Sequence, residues 1–168
     1  HRYRHLAKVM PKNWVSLLEG QYIAHRIFMK DGLIQKYLKH VAIKDLDENQ
    51  QKFLAHHARY PWHFSFSVIS DIPEKDFYEM EDVFTGENFL LHSPSITQRL
   101  KECPVLLWFN LIAFNGSCWQ SYGPVVDFMS FSKDDIFYFA TELHPMIKNY
   151  DQLLIDMEEN PVPYMMLA

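Results

Sequence analysis

The sequence predicts an α+β fold: N-terminal helices, a curled antiparallel sheet of about five strands with a small-barrel-like form, and closing C-terminal helices. Three observations predict it. Apolar residues recur at spacings of three and four up to Arg59 and again after Ser132, whereas between His63 and Met129 the period falls to two. Thr85-Gly86 and Asn115-Gly116 punctuate that alternating region as hairpin turns. The chain therefore divides into a helical segment (1–60), an antiparallel β meander (61–131) and closing helices (132–168), packed as one compact unit.

In the first segment Trp14, Leu17, Leu18, Tyr22, Phe28 and Met29, with His25 on the same stripe, predict an amphipathic helix from Pro11 to about Lys30, ended by Asp31-Gly32. A short helix over Leu33–His40 follows. A third spans 47–58, with Asp45 or Asp47 as its N-cap, and is closed by Arg59-Tyr60-Pro61, because the residue before a proline is pushed out of the helical region.

Strand alternation then begins. Phe64, Phe66 and Val68 oppose Ser65 and Ser67, predicting a half-buried strand over His63–Ser70. Tyr78, Met80 and Phe84 oppose Glu79 and Glu81, and Asn88–His92 answers that strand across Thr85-Gly86. Val105–Phe114 and Ser117–Tyr122 flank Asn115-Gly116, and Val125–Met129 adds a further strand after Gly123-Pro124. Ser132-Lys-Asp-Asp135 has the Ser-x-x-acid form of a capping box and starts a helix towards Leu143; Pro145 stops it, and Asn149–Glu159 forms the last helix.

Composition excludes several classes. With 48% hydrophobic and 15% aromatic residues in 168, the chain can bury a real core and is not disordered. Its longest apolar run, Val105–Phe114, is interrupted by Asn110 and falls short of the roughly 20 residues that cross a bilayer. The opening HRYRHLAKVM is basic but lacks the apolar core of a signal peptide. A cytoplasmic protein is the expectation. The missing initial Met and the apolar ending, Asn160 to Ala168, suggest a piece of a longer chain. Cys103 and Cys118, the only cysteines, are expected as two reduced thiols; alone they cannot build a four-ligand zinc site.

Charge is uneven. Residues 1–44 carry nine Lys and Arg against Glu19 and Asp31, a balance of +7, while the rest carries seven against nineteen acids, −12. Either the first segment faces an acidic partner or nucleic acid, or it lies across its own acidic domain; the second is favoured, because an acidic body repels phosphates.

The candidate sites are few. Asp82 shares a face with Tyr78, Met80 and Phe84, where a carboxylate needs donors, and the N–H groups of the Thr85-Gly86 turn are within reach. Asp82, Thr85, Gly86, Asn115 and Gly116 are thus structural turn residues. Asp82 with His92 is a weak acid/base candidate, lacking a nucleophile and a third, orienting residue. The nine histidines show neither a helical i,i+4 pair outside His1 and His5, which stand among arginines, nor His-Glu-x-x-His, so no metal and no cofactor are expected. Nucleophile-elbow, phosphate-loop and dinucleotide-binding motifs are missing too. Trp62, Trp108 and Trp119 suit a stacking platform for bases in principle, but aromatic strands are more often core.

The span from Tyr78 to about Phe139, with Asp82, Thr85-Gly86-Glu87, Ser93, Ser95, Val105–Phe114, Asn115-Gly116 and Gly123-Pro124, resembles a β-rich segment of bacterial proteins that carry the SEC-C metal-binding motif. The C-x-C knuckle itself is not in this sequence, so zinc ligation is carried over to no residue. The resemblance implies an accessory, non-catalytic module. The expected function is accordingly binding of a protein partner or a neighbouring domain. Nucleic-acid binding through the basic first 44 residues, with Lys36, Lys39 and Lys44 on phosphates, is one alternative; a metal-dependent hydrolase using Asp82, Glu79 or Glu81, and His92 is another.

Overall fold

The computed structural model describes residues 8, 10–100 and 107–167. Cys103, Val105, His1 and His5 lie outside them. Helix α1 (Lys12–Phe28), α2 (Leu33–Tyr37), a 3-10 turn (Val41–Asp45) and α3 (Glu48–Arg59) precede the strands. Asp47 caps α3: its carboxylate accepts from the Gln50 N–H, while the Gln50 side chain accepts from the Asp47 N–H.

Five strands follow: β1 (His63–Glu74), β2 (Phe77–Asp82), β3 (Asn88–His92), β4 (Leu107–Phe114) and β5 (Trp119–Phe128). They close in the order β1-β2-β3-β5-β4, with β4 back on β1. Four pairings are antiparallel, but β3 and β5 run parallel through Leu91↔Trp119 and His92↔Gln120. The sheet is therefore mixed and forms a ring with one short seam, rather than an all-antiparallel meander or a regular barrel. Helix α4 (Pro94–Leu100) follows β3; β4 then pairs with β1 and leaves β5 beside β3. Alternation reveals that strands exist; it does not name their neighbours.

Ring closure corrects the reading of β1 as half-buried. Phe64 and Phe66 point outward under the helices, and Ser65 and Ser67 point inward at zero exposure. A narrow lumen takes small side chains, which is why serine stands where a solvent-facing strand would also place it. Two cores result. Inside the ring Tyr78, Met80, Leu91, Trp108 and Ile112 pack with Ile96 of α4. Outside it Phe64, Phe66, Phe109 and Phe128 meet Leu18 of α1 and Ile136, Leu153 and Tyr164 of the closing helices. Phe109 lies between Phe64 and Phe66, with ring centroids 5.0 and 4.5 Å away.

Gly123-Pro124, expected to separate two strands, instead lies inside β5 as a bulge. Val126 pairs with Phe109 and Tyr122 with Leu111, so three residues of β5 oppose Asn110 alone. Gly123 adopts φ +74°, a conformation that favours glycine. The bulge turns carbonyls outward, and Gln21 of α1 donates to two of them, Tyr122 O at 2.9 Å and Pro124 O at 3.0 Å. A Cβ at Gly123 would lie 3.1 Å from the Gln21 side chain. Inside, Asn110 donates to Ser121 Oγ at 2.8 Å.

Helix α5 (Lys133–Leu143) starts at the Ser132–Asp135 capping box; these hydrogen bonds hold the Asp135 carboxyl below its ordinary pKa. Helix α6 (Tyr150–Glu159) is capped by Asn149, whose side chain accepts from Gln152 N–H at 2.9 Å. The apolar ending forms α7 (Val162–Met165), with Pro163, Tyr164 and Met165 buried. Burial and the hydrogen bond to Asp156, 2.8 Å, raise the Tyr164 hydroxyl far above its usual value.

Candidate functional site

A cleft of about 870 Å3 opens where the end of α1, the α3–β1 junction, the Thr85 turn, the start of β5 and α6 meet. Its backbone logic is local. Pro61 forces an extended entry into β1, so Arg59 to Phe64 all line the cleft, and Trp62 is pinned by its N–H to Phe28 O at 3.0 Å. Trp62 stacks between Phe28 and Tyr122, with centroids 4.4 and 4.2 Å away, and its Nε1 donates to His57 Nδ1 at 2.9 Å.

Tyr60 and Trp119, both half-buried, form the aromatic wall over Trp62 and Phe64, which are buried beneath it; Trp119 stands edge-on to His63 at 4.9 Å. His63 titrates below 6.5: burial dominates, against the opposing pull of Glu158, Asp82, the Pro61 carbonyl and Glu87. His25, wholly buried, holds Glu158 from beneath, Nε2 to Oε2 3.2 Å, and stands 4.9 Å from Phe64. Arg26, Lys30 and Arg59 also line the cleft, balanced in formal charge by Asp31, Glu158 and Glu159. Among the described residues none of the three cations makes an ion pair; Arg26 donates to Met29 Sδ at 3.3 Å and Arg59 lies over the Tyr60 ring at 5.5 Å.

The residues singled out in the sequence are scattered. Asp82 is buried at the hairpin turn: Oδ1 accepts from Phe84 and Thr85 N–H, both at 3.0 Å, and Oδ2 accepts from Ser65 Oγ at 2.7 Å. Gly86, at φ +73°, closes the turn by donating to Asp82 O at 2.8 Å. His92 pairs with Phe77 at the other end of the hairpin, roughly 16 Å of strand from Asp82. Glu79 and Glu81 are exposed on the opposite face of β2, so the four do not converge. Thr85 alone of these residues reaches the cleft. Asn115 accepts from Ser117 and Cys118 N–H, both 2.9 Å, closing a four-residue β4–β5 loop in which Gly116 has φ +104°. Lys36, Lys39 and Lys44 are exposed on α2 and the 3-10 turn. Cys118 is a free, buried thiol. Trp62 and Trp108 are core, whereas Trp119 faces the cleft.

No family model, curated protein or solved structure matches the chain. Function therefore rests on the cleft itself. Among the described residues no group of three or more His, Cys, Asp or Glu is arranged to hold a metal ion. No serine, threonine or cysteine there hydrogen-bonds a histidine, the contact that activates a nucleophile. What the arrangement offers is an aromatic wall, both signs of charge and the His63 imidazole, groups suited to binding. Sequence reasoning missed His63, Glu158 and the cleft cations. The signal was Arg59-Tyr-Pro-Trp-His-Phe64, six consecutive residues of one wall.

Beneath that wall lies a titratable contact. His57 is lowered to about 4, first by burial and then by the neighbouring His56. Its unfolded form takes a proton near 6.5, so the stability it contributes is complete above that pH and is lost as pH falls towards 4. The expected loss is roughly 2 to 3 kcal/mol over that interval. Urea midpoints between pH 7 and 4 check this; His57→Gln, which retains an acceptor for Trp62 without titrating, should flatten the profile.

Proposed function

We propose that this chain is a non-catalytic interaction module that receives a polypeptide segment of a protein partner or of a neighbouring domain in the aromatic cleft. The carrying observation is an open cleft of about 870 Å3 whose wall is aromatic and whose formal charges cancel. Zero net charge supports a polypeptide over nucleic acid, because a phosphate backbone is drawn by surplus cations and repelled by Glu158, Glu159 and Asp31. Tyr and Trp with Arg at a rim are the residue types that anchor protein interfaces. The resemblance to SEC-C-associated segments, carried by turn residues such as Asp82, Thr85-Gly86 and Asn115-Gly116, agrees with an accessory role in a bacterial cytoplasm. The chain has no helix among the described residues long and apolar enough to cross a membrane.

Selection of short random peptides displayed on phage tests the reading. The expected result is a consensus with an apolar anchor whose binding falls at least roughly tenfold in Ile155→Glu, an exposed cleft position, with the melting temperature unchanged. A consensus indifferent to Ile155→Glu and to Trp119→Ala, or none at all, sinks the proposal.

A further inference from the structure

Within the basic first segment, helix α1 packs on β5, but not through its charges. Helix α1 buries Leu18, Gln21 and His25, and among the described residues the one ion-pair contact it makes is Glu158 on His25. Among the described residues Lys12, Arg26, Lys30, Lys36, Lys39 and Lys44 form no ion pair, so the basic layer is not neutralised by its own domain. Part of it is the stretch from Leu33 to Lys44, where Lys36, Lys39 and Lys44 alternate with exposed Leu33, Tyr37 and Val41, 43%, 55% and 69% exposed. Isolated exposed apolar residues are ordinary. Three within nine residues, interleaved with unpaired lysines, make a surface of two chemistries.

We infer that this surface docks an acidic polypeptide segment that also carries apolar side chains, a conclusion that rests on the interaction-module reading and specifies the partner's chemistry. Charge complementarity selects the acidic character: the stretch holds three lysines, and among the described residues no carboxylate pairs with them. The apolar residues favour polypeptide over nucleic acid, since phosphate contacts leave Leu33 and Val41 in water. They do not suit a membrane surface, because α2 is only five residues long and interfacial anchoring needs a sustained amphipathic helix.

The test is fluorescence anisotropy with a labelled degenerate pool of short peptides drawn from Asp, Glu, Leu and Phe, set beside a Lys, Arg, Leu and Phe pool. Oligo(dT) and phosphatidylserine vesicles complete the set. The acidic pool should bind the intact chain at low salt, weaken roughly tenfold or more in the combined Lys36→Glu, Lys39→Glu, Lys44→Glu variant, and give way there to the basic pool. All three side chains are exposed, so a matching melting temperature shows that the variant is folded. Ile155→Glu should leave this binding intact. Equal binding of both pools, indifference to the triple reversal, or binding of oligo(dT) or vesicles with the acidic pool silent overturns the inference. If cleft-selected peptides bind while the acidic pool does not, this inference fails and the module reading stands; if neither binds, both fail.

Discussion

Asp82→Ala should be the most damaging single truncation at the β2–β3 turn, lowering stability by about 3 to 5 kcal/mol. The carboxylate satisfies three donors in a buried place: the N–H groups of Phe84 and Thr85 and the Ser65 hydroxyl. Alanine leaves all three without an acceptor, and each unsatisfied buried group costs about 1 to 3 kcal/mol. Asp82→Asn retains the oxygen that faces the two N–H groups, and Ser65 can reverse its hydroxyl to accept from the new amide. Its expected loss is only about 1 kcal/mol. Urea unfolding of both variants measures the difference. A divalent cation should shift none of the midpoints; stabilisation of the parent chain that Asp82→Asn abolishes would revive the hydrolase reading.

The second large effect is expected at Trp62, where the helical layer meets the ring. Truncation to alanine removes the stack between Phe28 of α1 and Tyr122 of β5 and the hydrogen bond to His57 of α3. Loss of about 3 to 5 kcal/mol follows from the cavity alone. Trp62→Phe preserves most of the stacking but strands His57 Nδ1, and about 1 to 2 kcal/mol should go. Combining Trp62→Phe with His57→Phe, which removes the acceptor while keeping an aromatic ring, separates the two contributions: a coupling of at least about 0.5 kcal/mol identifies the hydrogen bond as a real term, and additivity assigns the loss to packing.

Much of this was legible in the residues. Asp47 and Ser132 announce helix starts through their side chains, and Thr85-Gly86 and Asn115-Gly116 announce hairpins, because capping and turn chemistry act within a few positions of the residue that carries them. Ring closure was not legible. The parallel seam between β3 and β5 depends on Leu91 meeting Trp119, 28 positions away, and no local pattern encodes that meeting. The same limit hid the inward role of Ser65 and Ser67, since alternation marks two faces without saying whether water lies on either. The cleft was half visible: its 59–64 wall is contiguous, but Glu158 reaches it only because α6 folds back onto His25.

The two hydrogen bonds from Gln21 to the β5 bulge bridge sequence separations of 101 and 103 residues. On a ribosome, α1 is made first, yet the carbonyls that hold it do not exist until Pro124 has been added. At about 5 to 20 residues per second, the stripe of Leu18, Gln21 and His25 is exposed for roughly 5 to 20 seconds before its docking site can form. During synthesis, therefore, the face of α1 that later joins the core is open to chaperone capture or mispairing, and substitutions at Gly123 should act on yield as well as on stability.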